Sequence, residues 1–358
     1  MVVLVLSSVN EISAADWSCL GSGRMLFETQ GWLSANESTL PGESVVTAEF
    51  DASGALCSVI SWRATHASDP SPYYNVTALL ARFSDGPPPT DNGWTLNCAG
   101  IGMHSPMLAG PGIAFDAQRV LAHIKAAAST RDQQPSVYGV NFLPRDPARG
   151  LPGSLAEVGF TKITGYQRAF LEILGDSYQD YLASLSSRQR WNARRDRKRF
   201  AETGQRVSFT TGLAAVGEDL VRLQGGNRAK YGLLRDDEEL RLRHSALLRY
   251  AGADGLVIRS HRGSACTGFA MFFRMGSALH ALCAGFDDTE EKIGPYFECL
   301  FHAAIEWACE NGIREIDYGI GSAMAKIERG CQMVDVSTWY LPAYRLVDEG
   351  RCKDETQG

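Results

Sequence analysis

Between residues 317 and 330 the chain gathers Asp317, Tyr318, Gly319, Gly321, Lys326, Arg329 and Gly330. A carboxylate can orient or deprotonate a nucleophile, a phenol can protonate a leaving group, and cations can hold developing negative charge. These types at the end of a strand are the ingredients of a site where substrates meet. A second concentration runs Arg188-Gln-Arg190-Trp-Asn-Ala-Arg194-Arg195-Asp-Arg197-Lys198-Arg199. The guanidinium fork matches phosphate oxygens. Arg190, Arg194, Arg195, Arg197 and Lys198 are therefore candidate contacts for a phosphate-rich substrate such as tRNA, a nucleotide cofactor or a nucleotide-linked precursor. A solvated helix face would hold the same residues. In either case Trp191 and Phe200 are expected to pack inward.

Two further places could touch a substrate. Gly225-Gly-Asn-Arg-Ala-Lys-Tyr-Gly232 reads as a glycine-flanked loop offering Arg228, Lys230 and Tyr231, or as a plain helix–helix connection. His280 lies in an apolar strand and could reach a site, although a lone strand histidine also serves structure. Alternation along that strand puts Cys283 on the opposite face from His280, which excludes a local dyad.

Other chemistries are excluded by pattern. Gly319-Ile-Gly321 lacks the third glycine and the βαβ context of a dinucleotide fingerprint. No P-loop, H-E-x-x-H or G-x-S-x-G occurs. The nine cysteines include no C-x-x-C pair, so neither a zinc knuckle nor a disulfide framework is expected. Cys299 and His302 lie three apart on a helix and read as core residues rather than metal ligands. With 44% hydrophobic and 21% charged residues and a net charge of −6, the chain reads as globular, without the overall basicity of a generic polyanion binder. The opening Met-Val-Val-Leu-Val-Leu reads as a first strand, and a cytoplasmic location is expected.

The elements that must position these residues are legible. Residues 278–284 form an apolar strand and 313–317 another. Between them a helix starts at Pro295 and ends at Gly312, with Phe297, Leu300, Phe301, Ala304 and Ala308 on one face. Upstream, strands are expected near 43–50, 55–63, 94–100 and 137–142, with a helix over 115–129. Downstream come a strand at 166–173, helices over 178–185, 188–202, 218–224 and 237–251, a meander over 256–284, and a last strand at 334–341. Each half thus runs an antiparallel meander, a helix and one more strand. The reading is an α+β protein of two related domains, 1–164 and 165–358, with the main site in the second.

Four segments together carry a resemblance: Ser186–Gly204; Arg235–Arg241; Gly285-Phe-Asp with Gly294-Pro, Ala308–Gly312 and Glu315-Ile-Asp317; and Lys326-Ile-Glu-Arg-Gly330. The chain resembles tandem GNAT-fold acyltransferases, among them the Fem-type aminoacyltransferases. The resemblance implies two GNAT-like domains, each a mixed, mainly antiparallel sheet flanked by helices, the N-terminal one degenerate. It implies amide formation, an amine attacking an activated acyl carbon. Asp317 would then orient or deprotonate the amine and Tyr318 protonate the leaving group. Lys326, in the Lys-x-x-x-Gly turn, would contact the donor's phosphate or carbonyl, supported by Arg329.

The resemblance leaves two donors open, aminoacyl-tRNA or acyl-CoA, and implies no bound cofactor. CoA-dependent members cradle pyrophosphate in a glycine-rich loop before the central helix. Here Asp287-Asp-Thr-Glu-Glu-Lys-Ile-Gly-Pro295 holds that place, with four acids and a proline that lacks an N–H. Aminoacyl-tRNA is therefore expected over acyl-CoA. The acceptor is a peptide or a small natural-product amine, the latter favoured by the absence of the coiled-coil arm of bridge-forming Fem enzymes. A non-catalytic nucleotide-recognition module is the remaining reading.

Overall fold

The computed structural model describes residues 2–20, 26–66, 68–69, 74–83, 93–144, 151–212, 217–230, 236–250, 255–287 and 294–346. The chain divides into two units, Met1–Tyr166 with Asp335–Gly358, and Gln167–Val334. The chain from Asp335 onward returns to the first unit, whereas the sequence pattern assigns it to the second.

The first unit runs β1 (Val2–Leu6), α1 (Ala14–Cys19), α2 (Gln30–Thr39), β2 (Glu43–Phe50), β3 (Leu56–His66), α3 (Val76–Phe83), β4 (Trp94–Cys98), β5 (Met107–Ala109), α4 (Ala117–Ser129), β6 (Val137–Pro144) and α5 (Leu151–Glu157). Strands β1 to β4 form an antiparallel meander, and β6 pairs parallel to β4 after the α4 crossover. Residues 336–342 of the last strand then pair antiparallel with β6. Helix α4 starts at Asp116, whose carboxylate accepts the Arg119 N–H at 2.8 Å. Its Val120, Ile124 and Ala127 are buried against Ile60, Trp62, Leu96 and Tyr138. Helix α3 was not anticipated; Val76, Leu79 and Leu80 supply its buried stripe at helical spacing.

The second unit runs β7 (Thr161–Glu172), α6 (Tyr178–Ser184), α7 (Ser187–Glu202), β8 (Arg206–Thr211), α8 (Glu218–Lys230), α9 (Asp237–Tyr250), β9 (Gly255–Arg262), β10 (Ala265–Met275) and β11 (Ala278–Phe286). The central helix follows as α10 (Pro295–Phe297), a π-helical turn (Glu298–His302) and α11 (Ala303–Glu310), then β12 (Glu315–Ile320), α12 (Ala323–Ile327) and the start of β13 (Gln332–Pro342), whose residues from Asp335 on belong to the first unit. The strand order is β7-β12-β11-β10-β9-β8, antiparallel throughout except where β12 runs parallel to β11. Both units thus share an antiparallel meander followed by a parallel crossover through one helix, as the element order implied.

The central helix begins and ends where expected, with Pro295 in its first turn after Gly294 and Gly312 at φ 69° just past its end. Its Phe301, Ala304, Ile305 and Ala308 are buried against Leu171, Leu279, Ile316 and Tyr318. Two expectations are corrected. Gly225–Lys230 is not a loop: α8 continues through it, with buried Gly225 inside the helix. That helix rides close on β11, because a Cβ added to Gly285 would sit 2.5 Å from the Leu223 backbone. Trp191 does not pack inward but is 60% exposed, since the buried stripe of α7 is Asn192, Ala193, Asp196 and Phe200. The π-helical turn had no sequence signal.

Candidate active site

The parallel pairing of β11 and β12 covers Ala278↔Glu315, Leu279↔Ile316 and His280↔Asp317. Past that point β11 continues on β10 as far as Phe286. An irregularity lies on each strand at the divergence. On β11, Ala281 pairs with Phe272 but Cys283 with Met271, which leaves Leu282 as an extra residue. On β12, the register against β7 shifts between Asp317 and Gly319. The two strands therefore open into a cleft whose vertex is the His280–Asp317 pair. The extra residue also reverses strict alternation. Leu279, Ala281 and Ala284 all belong to the core under the central helix, so Cys283 shares His280's face rather than opposing it.

Asp317 is fully buried and saturated. Arg168, on β7, donates from Nε at 3.0 Å to both carboxylate oxygens and from Nη2 at 2.6 Å to Oδ2. The Gly319 N–H donates at 2.8 Å to Oδ1, and His280 Nδ1 lies 3.3 Å from Oδ2. Burial works to raise this carboxyl, but the Arg168 charge and the His280 bond outweigh it and hold it well below the usual carboxylate range. Such a carboxylate orients its neighbours and is a weak proton acceptor. The Gly319 bond needs the φ of 64° at which that glycine turns the chain away from β11.

Tyr318 points the other way. Its ring lies 4.7 Å from that of Phe301 on the central helix, and its hydroxyl is buried without a partner. Burial pushes that hydroxyl well above the usual tyrosine range. Strand alternation puts Asp317 and Tyr318 on opposite faces of β12. It also keeps the phenol away from the face that holds Asp317 and His280.

Lys326 and Arg329 are buried too. Lys326 Nζ donates to the carbonyls of Tyr318 at 2.7 Å, Gly319 at 2.9 Å and Ile320 at 3.1 Å. All three of its donors are thereby spent on the strand end, and burial lowers the ammonium to about 8. Arg329 bonds Asp196 of α7 and the Ala325 carbonyl and lies 3.6 Å over the Phe297 ring. The sequence pattern groups these residues as a contact set for substrate. The structure makes them the clamp that shapes the turn after β12.

The remaining candidates scatter. Arg228 pairs with Glu239 at 3.0 Å, Lys230 is exposed at the end of α8, and Tyr231 lies outside the described residues. On α7, Arg190 bonds the Leu182 and Leu185 carbonyls at 2.8 and 2.9 Å, closing the end of α6. Arg197 bridges Glu298 at 3.2 Å and Glu306 at 2.9 Å. Arg194 and Lys198 are exposed, and Arg195 stacks 4.8 Å over Trp191. Cys299 and His302 are core residues, with His302 Nδ1 2.9 Å from the Tyr178 hydroxyl. Sequence reasoning missed Arg168. Its signal was a lone cation within the apolar run of the strand after Tyr166, which burial obliges to find an acid.

A FemAB-like family profile, described as peptidoglycan biosynthesis and recognition, matches residues 108–349. The chain belongs to the FemAB-like family. The crystal structure of FemX aligns with this FemAB-like chain at TM-score 0.59 and 11% identity, over 95% of this chain and 97% of FemX. A tandem GNAT protein from the clavulanic acid biosynthesis pathway aligns at TM-score 0.55 and 12% identity, over 96% and 98%. The C-terminal domain of a putative lysylphosphatidylglycerol synthetase from Agrobacterium fabrum aligns at 0.56 and 10%, over 95% and 96%. No curated protein matches the sequence. At these identities the three structures speak for the fold, which is the tandem GNAT architecture the sequence implied. As a FemAB-like protein of that fold, the chain is an acyltransferase. No helix among the described residues is long and apolar enough to cross a membrane.

Proposed function

We propose that this FemAB-like protein moves an aminoacyl group from aminoacyl-tRNA to an amine acceptor, a peptide or a small molecule. The observation that carries the donor is the outer face of α7. There Arg195 lies over exposed Trp191, and Arg188, Arg194, Lys198 and Arg199 are exposed around the pair. Cations beside an open aromatic ring suit a nucleic-acid backbone with unstacked bases. At the start of the central helix, Pro295 supplies no N–H, which weakens the place where a pyrophosphate would sit.

The acyl carbon enters the cleft between β11 and β12. Main-chain N–H groups on the β11 edge beyond Ala281, where the β12 register has ended, are the donors for the oxyanion. The amine attacks the ester carbon as His280, its Nδ1 held by Asp317, takes the amine's proton. The tetrahedral adduct collapses, the bond between the acyl carbon and the ribose oxygen breaks, and the same proton passes to the departing ribose oxygen. Asp317 is thus a positioning residue, with Lys326 holding the turn behind it. The test supplies the purified chain and a panel of amines with charged tRNA or an acyl-CoA, each with and without ribonuclease. Product that requires charged tRNA and vanishes with ribonuclease supports the reading; product made from the thioester in the presence of ribonuclease overturns it in favour of an acyl-CoA donor.

A further inference from the structure

Glu298 is 3% exposed, yet only one of its carboxylate oxygens is bonded: Oε1 accepts from Arg197 at 3.2 Å, and Oε2 is buried without a partner. It opens the π-helical turn, in which the Ala303 N–H returns to the Glu298 carbonyl. A π turn inserts one residue into the helix and re-aims the side chains around it, and such turns recur at functional sites. Here the side chain lines a cavity of about 320 Å³, walled by Phe200 of α7, Val207 and Phe209 of β8, and Arg197 and Glu306. Arg197 is already shared between Glu298 and Glu306. Two carboxylates and one guanidinium leave a net charge of −1, with a buried acceptor still to be filled and an apolar wall beside it.

We propose that this cavity is a binding site for a monocationic primary amine carrying an apolar body. Glu298 turns Oε2 from its buried position into the cavity that the side chain lines, and the ammonium donates to it and supplies the one positive charge the cluster lacks. The apolar body lies against Phe200, Val207 and Phe209. Phe209 is 46% exposed, so the site opens to solvent on the edge-strand side. The central helix lies on the opposite face of the sheet from Asp317 and His280. The site is therefore distinct from the cleft between β11 and β12, and its occupancy does not depend on the donor read there.

Phenethylamine is a suitable probe, with 2-phenylethanol as its neutral isostere, both titrated calorimetrically against the full chain at pH 8. The amine is expected to bind, and the alcohol to bind at least about tenfold more weakly, since a charged hydrogen bond is lost. Glu298→Gln, which keeps shape and one oxygen, is expected to weaken the amine by a similar factor. Phe209→Ser, at a half-exposed position where folding is not at stake, is expected to weaken amine and alcohol alike. Equal binding of amine and alcohol, unchanged amine affinity in a folded Glu298→Gln protein, or no amine binding to the wild type at millimolar concentration would each overturn the proposal.

Discussion

The guanidinium of Arg168 on β7 takes both oxygens of Asp317 on β12, at a point where neither side chain is more than 6% exposed. A planar fork meets a planar carboxylate, and the acid's remaining acceptor capacity is filled by Gly319 N–H and His280. The pair fixes the vertex of the cleft, because Asp317 is the last residue of β12 in register with β11 and His280 is its partner.

Removing one member of this pair leaves the other buried and unpaired. Arg168→Ala is expected to destabilise the protein by about 3–5 kcal/mol in urea denaturation, and Arg168→Lys, which loses the fork, by less. The pH dependence follows from the depressed folded value of Asp317. The unfolded chain binds the proton more readily, so the pair's contribution is present above the unfolded value of about 4 and is lost as pH falls toward the folded one. Acid-unfolding curves of the wild type and Arg168→Ala should therefore converge in strong acid. A constant separation across that range would remove the pair from the account.

Lys326 calls for a variant that keeps its stem. Lys326→Met retains the apolar chain and removes the three donors on the carbonyls of residues 318–320. A loss of about 2–3 kcal/mol is expected, with turnover falling because the turn behind Asp317 loosens. Full thermal stability with abolished turnover would instead return Lys326 to direct contact with the donor.

How far the site could be read from sequence depended on whether its signal was local. Pro295 and Gly312 mark the central helix by their own backbone chemistry, and both ends fall where they are expected. The candidate residues at 317–330 are visible as types, but their bonding is not. Lys326 and Arg329 point into the protein because carbonyls of β12 and Asp196 of α7 receive them, and Asp196 lies far back in the chain. The same limit hides Arg168, whose partner is on another strand. The extra residue at Leu282 is illegible because a bulge follows from pairing across strands, and it reverses the face assigned to Cys283. Trp191 defies the expectation because exposure of an aromatic residue runs against its burial tendency, and only the stripe formed by Ala193, Asp196 and Phe200 decides which way α7 turns.

Glu298 should give a stability signal of the opposite sign. Burial raises its carboxyl to about 7, only partly offset by Arg197 and reinforced by Glu306 and Asp196; Tyr178 of α6 and His302 complete the groups around it. Between the unfolded value and pH 7 the folded state holds the proton more tightly. Wild-type stability therefore falls as pH rises through that window, and Glu298→Gln lacks the fall. The two proteins should differ in stability change between pH 4 and pH 8 by about 3 kcal/mol in chemical denaturation. Parallel curves would mean that Glu298 is ionised throughout and already neutralised.

The outer face of α7 yields the last test. Arg190 and Arg197 are committed to protein partners, so charge reversal there would damage the fold and say nothing about a ligand. Arg194 and Lys198 are exposed, and Arg195 lies over the Trp191 ring and bonds Asp196 at 3.4 Å. Arg194→Glu with Lys198→Glu should leave the melting temperature nearly unchanged, since exposed charges contribute little to stability. Affinity for charged tRNA should fall, and the slope of log affinity against log salt should become shallower by roughly 0.7–0.9 for each phosphate that the variant no longer neutralises. Trp191→Ala should weaken binding by about 1–3 kcal/mol while leaving that slope in place, because stacking carries no counterion release. An unchanged salt slope in the double variant would assign the cations of α7 to solvent and leave the donor to be held elsewhere.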